Sequence, residues 1–166
     1  ALNEVASSDR VRAAVQTKVS ALGLTALHTA RAEEASQTDR FYVGALQSIQ
    51  ESAEREIQKG YEAAILGQKV GADTSMEHLA ALRAEQEYEL LAAALSPHFL
   101  PDKFQRVVQS AREVFSTIKA EVAAEADPVG FVRGDYAELS PNLGRTLKAR
   151  LVGQAHAAID KHTARV

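Results

Sequence analysis

The 166-residue chain has no cysteine and no tryptophan. The first absence removes disulfide frameworks, thiolate metal sites and cysteine nucleophiles together. Aromatic residues make up 5% of the chain, whereas β-sandwiches and barrels draw heavily on aromatic and β-branched side chains. Basic residues are not in excess. Nineteen Lys plus Arg stand against 22 Asp plus Glu, a formal charge of −3, and no basic stripe marks a nucleic-acid surface. The longest strongly apolar stretch, Leu90-Leu91-Ala92-Ala93-Ala94-Leu95, is far shorter than the ~20 residues that span a bilayer.

What the chain does hold is alanine, at 31 positions. That composition suits helices packed closely through small residues. The expected fold is all-α, an antiparallel up-and-down bundle of four to five helices forming one domain over residues 1–166. The chain begins at Ala1, and it is expected to be a piece of a longer protein.

Helical periodicity organises nearly the whole length. Val11, Val15, Val19 and Leu22 recur at spacings of four, four and three behind Ser7 or Ser8 as a cap. Gly23 then either kinks this helix or stops it, with Leu24 and Leu27 resuming the stripe before the polar run from Glu33 to Thr38. Thr38 or Asp39 is expected to open a second, long helix with Tyr42, Leu46, Ile49, Ala53, Ile57, Tyr61, Ala64 and Ile65 along one stripe, closed by Gly67 and Gly71.

A third helix is read from Thr74 or Ser75, with Leu79, Leu82, Gln86, Leu90 and Ala93 as its inward seam. Ser96-Pro97 and Leu100-Pro101 bracket a tight connection in which Phe99 and Leu100 plug the bundle end. The fourth helix, Asp102 to Ala126, carries Phe104, Val107, Val108, Ala111, Val114, Phe115, Ile118 and Val122 on one face. Asp127-Pro128 ends it. Residues 129–142 read as an irregular link, and a last helix from Pro141 offers Leu143, Leu147, Leu151, Ala155 and Ile159 for burial.

Catalytic and metal signatures are missing. Two-metal carboxylate bundles need Glu-x-x-His pairs on two helices, and His156 and His162 are instead six apart while Glu77 and His78 are adjacent. No metal or other cofactor is expected. There is no Gly-x-Ser-x-Gly elbow, and Gly67-x-x-x-Gly71 lacks the Lys and Ser or Thr of a nucleotide loop. No enzyme activity is expected. Gln86 stands out as a polar residue in the third helix's apolar seam. It either hydrogen-bonds a small polar ligand between helices or satisfies a structural partner. Arg83 lies near the same edge. An anion pocket would need two arginines facing each other across the bundle; beside Arg83 the candidates are Arg31, Arg106 and Arg112, of which the last is best placed for an inward role beside Ala111.

Three segments carry a family resemblance: Asp39-Arg40-Phe41-Tyr42-Val43-Gly44-Ala45-Leu46, the run Glu89 to Leu95, and the helix Phe104 to Ile118, with Tyr136 to Pro141 closing the series. In order and spacing, from about Leu24 to Gln154, the chain resembles nitrate- and nitrite-sensing (NIT) domains. These are helical modules found before actinobacterial histidine kinases and in chemoreceptors and antitermination regulators. Where that family tends to place an arginine in the third helix, this chain has Gln86.

The resemblance implies a ligand-input or signal-relay domain of a bacterial sensor of the two-component histidine-kinase type. A small anion such as nitrate or nitrite would bind between helices, and the polar interruption of the apolar seam offers Arg83, Gln86 and Arg112 for it. It also implies an output domain beyond this chain and an extracytoplasmic position in a membrane protein, with a cytoplasmic one the alternative; a homodimer through a neighbouring helix face is expected as well, and the charge balance leaves no nucleic-acid partner. The competing expectation is a structural or protein-interaction bundle without a small ligand.

Overall fold

The computed structural model describes residues 2–165, and the side-chain surroundings of all of these except 2–9, 11, 18–19 and 21–25. Among them every regular element is helical, and no strand occurs. The elements are α1 (Leu2–Lys69), α2 (Ser75–Leu95), α3 (Pro101–Ala126), α4 (Pro128–Arg133) and α5 (Arg145–Ala164), with 3-10 turns at Ser96–His98 and Ala137–Asn142. The all-α expectation holds. The chain divides into two compact units, Ala1–Val43 and Gly44–Val166.

Within the first unit the backbone is helical from Leu2 onward, so neither Ser7 nor Ser8 caps it. Gly23 does not interrupt the helix. A lone glycine costs a helix only ~1 kcal/mol relative to alanine, too little to break a segment otherwise rich in helix formers. Thr38 is not a cap either, because its hydroxyl donates back to the Glu34 carbonyl at 2.9 Å, four residues earlier in the same helix. Of the expected stripe, the side chains of Val11, Val19, Leu22 and Leu24 lie outside the described residues. Val15 and Leu27 are exposed, as is Phe41, whose ring meets Tyr42 edge-on at 5.3 Å.

In the second unit α3 is the central element. Its Val122 and Ala123 face Tyr61 and Ile65 of α1 and Ala81 of α2. Its Ala120 and Ala124 face the other way, onto Leu139 and Leu151. The expected α3 face is the one that is covered: Val108, Ala111, Phe115 and Val122 are buried, and Phe104, Val107, Val114 and Ile118 half-buried. The α1 stripe behaves the same way, with Leu46, Ala53, Ile57, Tyr61, Ala64 and Ile65 buried.

The seam of α2 is the chief correction. Leu79, Leu82, Gln86, Leu90 and Ala93 are all exposed, and the buried positions are Ala81, Ala84, Tyr88 and Ala92. The cause is the closeness of α1. A Cβ placed on Gly60 would stand 3.1 Å from the Glu77 carbonyl oxygen and 3.3 Å from the Ala81 nitrogen, so the two backbones nearly touch. Only α2's alanine face allows that approach. Ion pairs brace the outside: Lys119 of α3 binds Glu85 of α2, and Arg150 of α5 meets Glu121 of α3 at 3.4 Å.

Two further expectations shift. Phe99 is buried, with its ring 6.1 Å from that of Phe104, but Leu100 is exposed. Leu100 takes the extended backbone (ψ 139°) imposed by the following Pro101 and points away from the bundle. The segment after Asp127 is also more regular than an irregular link. The Asp127 carboxylate accepts the Gly130 N–H at 3.1 Å and the Tyr136 hydroxyl at 2.9 Å, so it caps α4 and pins the return of the chain. A Cβ at Gly130 would lie 2.1 Å from an Asp127 carboxylate oxygen, so any larger residue there must push the capping carboxylate aside. Pro141 falls inside the second 3-10 turn, and α5 starts at Arg145.

Candidate functional site

The tight crossing at Gly60 and Ala81 sets the geometry beside it. Toward the start of the second unit, α1 presents the short side chains of Ser48, Ser52 and Ala53, and α2 presents Ala84, leaving a groove of about 290 Å³ between the helices. Ile49 and Leu91 supply apolar walls, and Tyr88 lines the groove as well. Glu56 and Glu87 line it too and are both solvent-exposed. No basic side chain lines it. Two carboxylates beside two hydroxyls favour a cation or a hydrogen-bond donor and repel an anion, with solvent screening weakening both effects.

Tyr88 is the largest fully buried side chain of α2, 1% exposed, and its ring meets Phe115 of α3 edge-on at 5.1 Å. Its hydroxyl has no hydrogen-bond partner among the described residues. Burial raises its pKa to about 12, and the Glu89 carboxylate adds to the rise while Arg112 opposes it. Tyr61 is likewise lifted to about 12 by burial, then by Glu138 and Glu85.

The three residues expected to bind a ligand do not converge. Arg83 and Gln86 are exposed on the outer side of α2, so Gln86 is not the buried amide that its place in an apolar pattern implied. Arg112 of α3 grips Glu89 of α2 in a two-point pair, with Nε donating to Oε1 at 2.6 Å and Nη2 to Oε2 at 3.0 Å. That hydrogen bonding raises the arginine's pKa further above its ordinary value. Glu89 and Arg83 lie six residues apart on α2, roughly 120° around the helix, so the pair stands away from Arg83.

Among the described residues no group of three His, Asp or Glu lies close enough together to hold a metal ion, and no helix is long and apolar enough to cross a membrane. His78 shares a 2.9 Å hydrogen bond with Gln68, and His156 and His162 are exposed on α5. The sequence reading missed Ser48, Ser52, Glu56 and Glu87 as groove residues. The available signal was the alanine set on α2, at positions 81, 84 and 92, which marks where α1 comes close.

Comparison of the chain with family models, with curated proteins and with solved structures finds no match.

Proposed function

We propose that the chain is a ligand-input or signal-relay module, the sensing part of a bacterial signalling protein with an output domain attached. The observation that carries this reading is the groove between α1 and α2. It opens beside a crossing where glycine and alanine already hold the helices at minimum separation, so an occupant acts on the spacing of two long elements directly. A ligand that fits one spacing better than another shifts the population toward it, and small helix translations are an ordinary way to pass such a shift along a bundle. The lining favours a small cation or neutral hydrogen-bond donor, held by Glu56, Glu87, Ser48 and Ser52.

Thermal melting tests this against the anion expectation. Stabilisation by small ammonium compounds, lost in Glu56→Gln and Glu87→Gln, supports the groove as the input site. Stabilisation by nitrate or nitrite, abolished by alanine at Arg83, Gln86 or Arg112, supports an anion sensor instead. If no compound of either class moves the transition, the sensor reading fails.

The second reading, a protein-interaction bundle, is favoured by a separate observation: α2 turns its larger apolar residues outward, with Leu82 49% and Leu90 73% exposed.

A further inference from the structure

We propose that the outer face of α2 pairs with the same face of a second copy of this chain, antiparallel, about a twofold axis at Gln86. This stands on the surface of α2 alone and does not rest on the sensor reading.

The face is apolar and uncovered. Leu79 is 36% exposed, and Leu82 and Leu90 more so, with Ala93 completing the stripe. Its spacings of three, four, four and three read the same in both directions from Gln86. An isologous contact requires such a pattern, because each residue must meet its own symmetry mate or one whose mate it meets in return. Antiparallel pairing about Gln86 sets Leu82 against Leu90 of the second copy, and Leu79 against Ala93. The amide of Gln86 meets an identical amide across the axis, each able to donate an N–H to the other's carbonyl oxygen.

The charges agree with that register. Arg83 and Glu87 lie on the same flank of the stripe, both exposed. In the antiparallel pair the Arg83 of each copy stands within one helical turn of Glu87 on the other, giving two reciprocal ion pairs. Glu89, on the opposite flank, is already neutralised by Arg112. One helix face of 21 residues falls at the small end of specific interfaces, below about 1,200 Å² in total, so the expected association is reversible and concentration-dependent.

Sedimentation equilibrium over a wide concentration range tests this on the whole 166-residue chain. The expected result is a monomer–dimer equilibrium. Leu90→Glu should abolish it, and the same variant melted at low concentration should match the parent, which separates lost pairing from lost folding. Arg83→Glu should weaken association about tenfold, and adding Glu87→Arg should restore it, since the reversed charges still face each other. The chain has no cysteine, so Gln86→Cys introduces a single thiol that a short bis-maleimide should join to its mate, whereas Gln105→Cys, exposed on α3, should not be joined. A chain that stays monomeric throughout overturns the proposal. So does a dimer that survives Leu90→Glu, or one in which Gln86→Cys is not cross-linked.

Discussion

Helices α2 and α3 are neighbours of similar length, and they treat apolar residues in opposite ways. On α3 the large side chains Phe115, Val108 and Val122 are buried, and Ala120 and Ala124 are covered on its other side. On α2 the interior receives three alanines and Tyr88, while Leu82 and Leu90 remain in water. The two helices meet different neighbours. α3 sits between two layers, meeting Tyr61 and Ile65 on one side and Leu139 and Leu151 on the other, whereas α2 lies against α1 at a crossing made narrow by Gly60. Burial of apolar area favours the leucine face by ~1.5–3 kcal/mol per side chain. Close backbone approach, which leucine at those positions forbids, outweighs it here.

The largest effects that sharpen this contrast are expected in the α3 core. Phe115→Ala should destabilise the protein by about 3–5 kcal/mol, read by urea denaturation; a loss below 1 kcal/mol would mean that α3 is not the central element. Ala81→Leu should cost about 1–3 kcal/mol by forcing α1 and α2 apart where Gly60 faces it, and a neutral result would show that the crossing has slack. Tyr88→Phe is expected to stabilise by about 1 kcal/mol, because it removes a buried hydroxyl that has no partner while keeping the ring against Phe115. Leu82→Ser in dilute protein should change monomer stability by less than about 0.5 kcal/mol, although the residue is as apolar as any in the core.

The tyrosines add a pH dependence whose direction follows from their environment. Tyr61 and Tyr88 have folded-state pKa values of about 12 against an ordinary value of 10.0. Between those values the unfolded chain releases protons that the folded chain still holds, so stability falls as pH rises. The contribution is fully present below pH ~10. Denaturation midpoints measured from pH 9 upward should therefore decline, and Tyr88→Phe should flatten the decline. A flat profile in the parent would contradict the burial of both hydroxyls.

Much of this was legible beforehand, for specific reasons. The α3 stripe and the α1 stripe from Leu46 to Ile65 each have a single apolar face, so periodicity leaves one way to bury them. α2 has two candidate faces, and periodicity ranks them by size. The residue that reverses the ranking, Gly60, lies on a different helix, twenty-one positions before Ala81. The candidate site was less legible. The pattern sets Arg83 and Gln86 beside a leucine face that periodicity places inside and the structure turns outward, and the pairing of Arg112 with Glu89 spans 23 positions that no local pattern connects. Gly23 and the polar run after it were weak stop signals, and the small cost of each was overridden by the helix around it.

Composition and spacing alone determined that the protein is helical, where its connections at Pro97, Pro101 and Pro128 fall, and which face of α3 is buried, because backbone hydrogen bonding and a lone apolar stripe are local properties. Only the tertiary structure decided which side of α2 faces inward, where the groove opens and which charges are spent on one another. Those outcomes depend on how near two backbones can come, a distance set jointly by residues far apart in the chain.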